Sequence, residues 1–533
     1  MRRNVAIEII APTDGLETRL TPSMIPIRNT PNVSNCNAYY GLVQKDYGTS
    51  LFATGASSTL GAPTNLIYEA NFGANSVLEV FTHTGMLKYT SGADTYVVDG
   101  QSYSGTFTDM WSACIHNDAL IFSNAVNLVQ AKTAYDSTGD VMAGVATSSY
   151  KAVAVVSFAN HLNFYRTTEA GVESRKRVRW SKAGLLGYTG TDWTAGTANF
   201  VDLIDMEGSL QTAERLGNNA VVVYGEGSIH LQEWVGGSDV YRFTKMIVNK
   251  GIPSRRGVIA NGTVHYVLTR DNIYEYYGGR DLKPIGDAIK AEYVTTINNS
   301  ALAYAFMDFL PDESELRVYV PTGTSTQPDT CYICKVADNY SWFKDTRHHT
   351  SRGVFSRPSG LTIGELTGNI GAQNWKFGDL SIAAGAVTNL SGEASGRIVK
   401  RDKTVYSISE SGVSIPQTFV FDTKDISSVN DIDPLIKDKY ELTEYMDNQS
   451  RWLQVKVEAK GAGSMCLQYS TDEGVNFAEF PDSPFTLSAN WSMHLADVDV
   501  ASEKFTVRVS NTGTNEVVFL RYIKAQFVPG GKI

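Results

Sequence analysis

The 533-residue chain is 42% hydrophobic and 19% charged, which excludes a disordered protein by the first figure and a coiled coil by the second. With 46 Gly, 27 Tyr and 22 Phe against 16 Pro, the composition suits short strands and tight turns, so an all-β fold is expected. A net charge of −10 opposes collection of free nucleic acid from solution, but not a pore through which DNA merely passes.

At the N-terminus Met1-Arg2-Arg3 precedes a short apolar stretch, Val5-Ala6-Ile7, that Glu8 interrupts. No 18-residue apolar run occurs, so neither a secretory signal nor a membrane span is expected. The cysteines, Cys36, Cys114, Cys331, Cys334 and Cys466, are sparse and odd in number, which predicts free thiols and synthesis in a cytoplasm. Residues 1–45 show no period and carry Pro22, Pro26 and Pro31, which predicts an extended arm.

Residues 46–405 contain an internal repeat. Leu78 and Val80, Leu120 and Phe122, and Leu162 and Phe164 are alternating apolar pairs 42 residues apart, each pair on one face of a strand. Val222 and Tyr224 precede Val264 and Tyr266 by the same step. Asn75, Asn117, Asn219 and Asn261 stand three places before such pairs and are expected to mark turns. A step of 60 between the two runs leaves room for an insertion, and Leu316 with Val318, then Leu361 with Ile363, continue the series at looser steps. Units of this length with several strand-like segments predict the four-stranded blades of a β-propeller, six or seven in number. A solenoid would repeat more tightly and a sandwich need not repeat. Trp-Asp dipeptides are missing, so the WD40 signature is not met.

Within this region, Arg175-Lys176-Arg177-Val178-Arg179-Trp180 is the strongest local charge. Arg175, Lys176, Arg177 and Arg179 form a candidate partner- or DNA-facing stripe, against the alternative of a solvated strand edge guarded by cations. Acids at Asp202, Asp205 and Glu207, and at Asp312, Glu313 and Glu315, are read as solubilising loop groups. Cys331 and Cys334 form a CxxC, but strand residues three apart point to opposite faces. His348 and His349 are adjacent rather than spaced for one ion and are expected in an exposed loop. No metal, no cofactor and no catalytic residue is expected, and the Walker A, HExxH and GxSxG patterns do not occur. A turn pattern, Gly-Glu-x-(Ser/Thr)-Gly-x-Ile, at Gly364–Ile370 and Gly392–Ile398 predicts two related hairpins.

Beyond residue 405 the rhythm stops, and residues 406–533 are read as a linker followed by an antiparallel β-sandwich. Leu453, Val455 and Val457, then Phe505, Val507 and Val509, show the alternation of strands with one buried face. Ser470-Thr471-Asp472-Glu473-Gly474-Val475-Asn476-Phe477 fits the Asp-box, in which Asp and Gly shape a hairpin turn above an aromatic ring. The box also occurs in sialidases, but one copy outside the repeat is read as structural, and the Arg-Ile-Pro signature is absent.

A longer likeness runs from Arg177 to Asn298. Arg177-Val178-Arg179-Trp180-Ser181 is followed by Asp192-Trp193, Leu216-Gly217-Asn218-Asn219, Val221-Val222-Val223-Tyr224, Gly236-Gly237, Lys250-Gly251-Ile252 and Asp271-Asn272-Ile273-Tyr274. In this order the phrases resemble the propeller-type tail proteins of short-tailed bacteriophages: tail nozzle, tail tubular and packaged-DNA stabilisation proteins. Tyr469-Ser470-Thr471-Asp472-Glu473-Gly474 is similar to a turn common after such propellers, with Glu473 where Gly is frequent.

The resemblance implies a structural virion protein of the tail, made in the host cytoplasm and without enzymatic activity. It implies a homo-oligomer, a hexameric ring, that conducts and retains genomic DNA without sequence-specific binding and meets adaptor and fibre or spike proteins. The alternative is a propeller glycoside hydrolase or glycan-binding adhesion module acting on host-surface sugars, motivated by the Asp-box and the acid-rich loops.

Overall fold

The computed structural model describes residues 5–10, 14–39, 41–55, 59–73, 75–91, 93–146, 149–184, 190–356, 387–427 and 449–528. Among these, seven sheets each contain four antiparallel strands taken in order along the chain, apart from the last strand of the seventh; the sixth gains two further strands in parallel, Gly15–Leu16 and Asn29–Thr30. Their first strands are Thr64–Phe72, Ser112–His116, Lys151–Phe158, Leu210–Leu216, Val258–Asn261, Phe306–Leu310 and His349–Ser356. The seventh sheet takes its fourth strand, Gly48–Leu51, from near the N-terminus, where it pairs with Ile398–Asp402. The first strand of the seventh sheet returns beside that of the first sheet, with Ser351 Oγ 2.7 Å from Thr64 Oγ1. The molecule is all-β and contains a β-propeller closed by strands from both ends of the repeat region.

The repeating apolar pairs occupy the second strand of successive sheets, Asn75–Thr82, Ala119–Ser123, His161–Glu169, Ala220–Gly225, Val264–Leu268 and Glu315–Val320. These strands lie inside a sheet and between sheets, so both faces are covered; Ala119–Ser123 is buried throughout. The seventh sheet departs from the expected series. Leu361 and Ile363 lie outside the described residues, as does Gly364–Ile370, and the second strand is Val387–Glu393, with Leu390 buried. Gly392–Ile398 does close a hairpin, Gly392 pairing with Ile398.

Of the four marker asparagines, Asn117 adopts the left-handed backbone, φ 47°, and with Asp118 at 61° makes the two-residue turn between Ser112–His116 and Ala119–Ser123. At the turns near Asn75, Asn219 and Asn261 the left-handed position falls to Gly73, Gly217 and Gly262, which adopt it without a Cβ clash.

Two larger antiparallel sheets follow. One runs Ser492–Ser502, Ser450–Gly461, Val518–Val528, Leu42–Lys45, Cys36–Tyr39, with Val5–Ile10 also on Val518–Val528. The other runs Val33–Ser34, Phe419–Asp422, Lys504–Asn511, Ser464–Ser470, Ala478–Glu479. Their inner faces meet where Trp452 stacks on Phe505, ring centres 4.7 Å apart. The Asp-box forms the turn after Ser464–Ser470: Ser470 Oγ donates to Asp472 Oδ1 (2.6 Å), the Gly474 and Asn476 N–H groups bind Ser470 and Asp472, and Phe477 lies under the Arg508 guanidinium.

The described residues before Phe52 form short extended strands, and these are threaded through the body. They add strands to both larger sheets, to the sixth propeller sheet at Gly15–Leu16 and to the seventh at Gly48–Leu51. At Gly15, φ 79°, a Cβ would stand 2.3 Å from the Trp342 carbonyl, so the strand can lie against Trp342 only as glycine. Leu16, Val33, Cys36, Ala38 and Val43 then belong to one apolar core continuous with the fifth and sixth sheets and both larger sheets.

Between this thread and the closing strand sits Asp46, fully buried, accepting hydrogen bonds from Arg317, Arg347 and Arg401 at 3.1–3.2 Å and from Tyr39 at 3.1 Å. Arg317 is on the sixth sheet, Arg401 on the seventh, and Arg347 on the chain joining them. Glu315 is buried with Arg317 and Lys335, and Glu313 pairs with Arg401, so these two acids are interior ion-pair partners rather than solubilising loop groups. Burial raises Asp46, but Arg401 and Arg317, a hydrogen bond with Asp345 and Arg347 outweigh it and hold the carboxyl well below the usual range. Burial and then the Asp46 charge push Asp345 well above its usual range, so Asp345 carries the proton of the pair.

Removing the central anion leaves three buried guanidinium groups facing one another. Asp46→Ala is expected to cost about 3–5 kcal/mol in urea unfolding at pH 7. Because the Asp46 pKa is depressed, its contribution is present above the unfolded carboxyl pKa and lost as pH falls through the folded one. The gap between parent and variant should therefore narrow only below the ordinary carboxylate range; a gap unchanged down to pH 2 would contradict the assignment.

Candidate functional site

First strands of six of the seven sheets surround a central cavity of about 670 Å³. It is an outcome of the propeller itself: each sheet presents its first strand to the axis, and twist keeps the strands from meeting there. Asn65, Met110 and Arg255–Arg256 lie toward the N-terminal ends of these walls, and Glu69, Ser157 and Arg215 toward the C-terminal ends. The charged lining comprises Arg215, Arg255, Arg256 and Arg352 against Glu69 and Glu214, a net positive wall inside a protein of net charge −10.

Arg256 precedes the first strand of the fifth sheet and bridges to Phe306 of the sixth, whose ring lies 5.2 Å from its guanidinium carbon. Its Nη1 donates to the carbonyls of Thr350 (2.7 Å) and Asn65 (3.1 Å), and its Nε has no partner. Burial first, then the neighbouring Arg352 cation, pull it down to about 9, so it stays charged at neutral pH. Arg255 is likewise pulled to about 10, by burial and then by Arg166, and its Nη1 is also unpartnered. Neither makes an ion pair with a carboxylate among the described residues. Arg352 has a carboxylate at 3.6 Å, Asp308.

The two glutamates differ. Glu69 is held by Ser76 Oγ (2.7 Å) and the Ser356 N–H (3.0 Å). Glu214, on Leu210–Leu216, has no hydrogen-bond partner among the described residues; burial pushes it up to about 7, with Arg352 opposing. A carboxyl poised near neutrality beside cations can exchange a proton with whatever occupies the cavity.

The predicted stripe lies elsewhere, on Val172–Trp180, the third strand of the third sheet. Arg177–Trp180 pair with Asn199–Asp202, so this half is interior, whereas Val172–Lys176 extend past that partner. Arg177 binds Asp202 (2.8 Å) and Glu169 (3.2 Å), Arg179 binds Glu169 (2.9 Å), and both guanidinium groups lie over Phe200. Lys176 Nζ donates to the Met206 carbonyl at 2.7 Å. Arg175, 68% exposed and 3.3 Å from Glu173, is the member whose cation faces solvent most fully.

Cys331 and Cys334 are both fully buried on Thr330–Lys335, and burial raises both thiols. Among the described residues no group of three or more His, Cys, Asp or Glu could hold a metal ion, and no helix is long and apolar enough to cross a membrane. His348 is exposed as expected, but His349 is not in an exposed loop: it opens His349–Ser356, is 4% exposed, and lies 5.6 Å from the Tyr319 ring. The second histidine opens a strand whose first three residues are all buried, and burial lowers it to about 3.

The cavity arginines and Glu214 were missed in the sequence. The adjacent Arg255–Arg256 pair at the head of a repeat unit was a visible signal, but nothing local says that this position faces an axis shared by six sheets.

No family model matches this chain, and no curated protein matches it. Among solved structures it is similar to the Pan2 WD40 domain of Neurospora crassa, with 7% identity, TM-score 0.38, and coverage of 71% of this chain and 97% of that one. It is also similar to the exo-beta-1,3-galactanase of Phanerochaete chrysosporium, with 8% identity, TM-score 0.25, and coverage of 90% and 100%. A family 29 carbohydrate binding module aligns with 33% of this chain and 88% of its own, at 9% identity and TM-score 0.14. Similarity at this level carries no functional argument, and the propeller rests on the sheet topology.

Glu214 supplies a pH test. With its folded pKa above the unfolded value, it favours folding fully below the unfolded pKa, near 4.5, and that contribution is lost as pH rises through about 7. Glu214→Gln should therefore gain stability relative to the parent between pH 5 and 8, on the order of 1–3 kcal/mol. Parallel urea curves whose difference does not change with pH would refute the assignment.

Proposed function

We propose that the protein is a non-enzymatic structural subunit of the tail of a short-tailed bacteriophage, assembled in the host cytoplasm into a hexameric ring that conducts and retains genomic DNA. Its modules are a seven-bladed propeller and a C-terminal β-sandwich, joined by the N-terminal segment. The observation that carries this reading is that threading: the first 51 residues contribute strands to four sheets in both modules. Such a body resists relative movement of its parts, as a conduit for DNA under pressure requires.

The cavity bears on where the conduit lies. At about 670 Å³ it cannot pass a duplex, whose grooves alone are about 12 and 6 Å wide. DNA therefore runs through a lumen between subunits, bounded by an acidic surface that does not grip phosphates. Ring closure needs a heterologous interface, two different patches of one chain meeting after a fixed rotation. Ile204 (85% exposed), in a turn, and Trp234 (59%), at a strand end, are apolar anchors that suit such an interface or the seats of adaptor and fibre or spike proteins.

A second reading, a glycoside hydrolase or glycan-binding module, is favoured by one observation: the unpartnered Glu214 carboxyl, titrating near 7 in the cavity, has the character of a general acid.

Electron-microscopy class averages and light scattering of the purified chain, alone and with its adaptor, test the proposal. Six-fold particles of six times the chain mass are expected. Single chains in both conditions, together with sugar release from host glycans that Glu214→Gln abolishes, would replace the tail reading with the enzyme.

A further inference from the structure

The charged lining of the propeller cavity is out of balance with its surroundings. Arg255 and Arg256 enter it side by side, and neither makes a direct ion pair with a carboxylate among the described residues; Asp109 and Glu173 act on Arg255 only at longer range. Elsewhere in the molecule, buried cations are matched closely: Lys132 is clamped by Glu79 and Asp99, and Arg317 and Arg347 share Asp46. Those clusters pair buried cations with carboxylates, and Lys45, buried without one, is held by Asn511 Oδ1 and the Gly513 carbonyl, whereas Arg255 and Arg256 keep unpartnered N–H groups where a cavity opens. Holding guanidinium groups in a confined space without an anion is costly, and a guanidinium is shaped to bind a tetrahedral or planar oxyanion through paired N–H groups.

The geometry points to an oxyanion-binding site in the propeller cavity, in which Arg256 and Arg255 hold a phosphate-class anion, Arg352 adds long-range attraction, and the Glu214 carboxyl sits within the same cavity. Arg256 is pre-oriented: its Nη1 is fixed by the Thr350 and Asn65 carbonyls and its face by Phe306. Its Nη2, with a single long contact of 3.5 Å to the Tyr304 carbonyl, keeps donor capacity for a ligand. The cavity is enclosed by the first strands and the residues leading into them, among which Met110, Ile67, Val153 and Val258 are buried, and this confinement raises the strength of each charged contact. The cavity has room for a phosphate alone or for one carried on a nucleoside. This site is independent of whether the protein belongs to a tail.

Titration calorimetry of the full chain with sodium phosphate at pH 7, ionic strength held constant with sodium chloride, tests the proposal. Saturable binding of one phosphate per chain is expected. Arg256→Gln should weaken it about tenfold or more, as for loss of a charged hydrogen bond. Arg256 also holds strands together, so a second variant is decisive if the first misfolds: Glu214→Gln, which breaks no hydrogen bond, should tighten binding by removing negative charge. With deoxythymidine monophosphate as titrant, tighter binding than inorganic phosphate assigns a nucleotide, and equal or weaker binding assigns free phosphate; both support the site. Absence of saturable heat, or a Kd unchanged in both variants, would overturn it.

Discussion

The architecture depends on one buried carboxylate. Asp46 stands where the chain passes from the sheets built with the C-terminal strands to the strand that closes the propeller, and three arginines from the sixth sheet, the seventh sheet and their connection converge on it. A lone carboxylate could not be buried there, nor could three guanidinium groups. Together, with Asp345 holding a proton and Glu313 and Glu315 balancing the outer arginines, the cluster is satisfied only when every element is in place. Apolar packing is tolerant of small slips; a cluster of this kind is not, and it specifies one arrangement of thread and ring.

A second buried ion cluster acts similarly between the first and second sheets. Lys132, on the second sheet, is fully buried against Glu79 and Asp99 of the first. Burial pushes Glu79 up to about 8, with Lys132 and Asp99 acting in opposite directions upon it. Adjacent blades in a propeller are otherwise joined by apolar side chains facing across the gap, as at Phe81 and Phe122, ring centres 5.2 Å apart. Charge fixes orientation where rings alone allow sliding.

These clusters frame the contrast drawn by the cavity. A protein with ten more acids than bases keeps an axial space where arginines outnumber glutamates. The chain as a whole and the lining of its axis therefore carry net charge of opposite sign, and the lining suits a small anion. The basic run on the third sheet stands apart from that lining: Glu169 and Asp202 neutralise Arg177 and Arg179 locally, and the pairs brace the strand against its neighbour.

By itself the sequence determined the all-β class and the propeller, because a 42-residue recurrence of apolar pairs reports a strand buried between sheets in unit after unit, as Leu78, Leu120 and Leu162 do. It also determined the Asp-box turn, whose hydrogen bonds join residues no more than four apart. What it left undecided depends on residues far apart in the chain. Glu313 and Glu315 look like solvent-facing loop acids until Arg401 and Arg317 are brought to them, and His349 looks exposed until its strand packs it against Tyr319. Gly48–Leu51 carries no mark of a closing strand, since its partner lies some 350 residues downstream at Ile398–Asp402. Arg255, Arg256 and Glu214 become a site only because the first strands of separate sheets share an axis. Local periodicity is written in neighbouring residues; the pairing of charges and the enclosure of space are properties of the closed ring, and only the tertiary structure decided them.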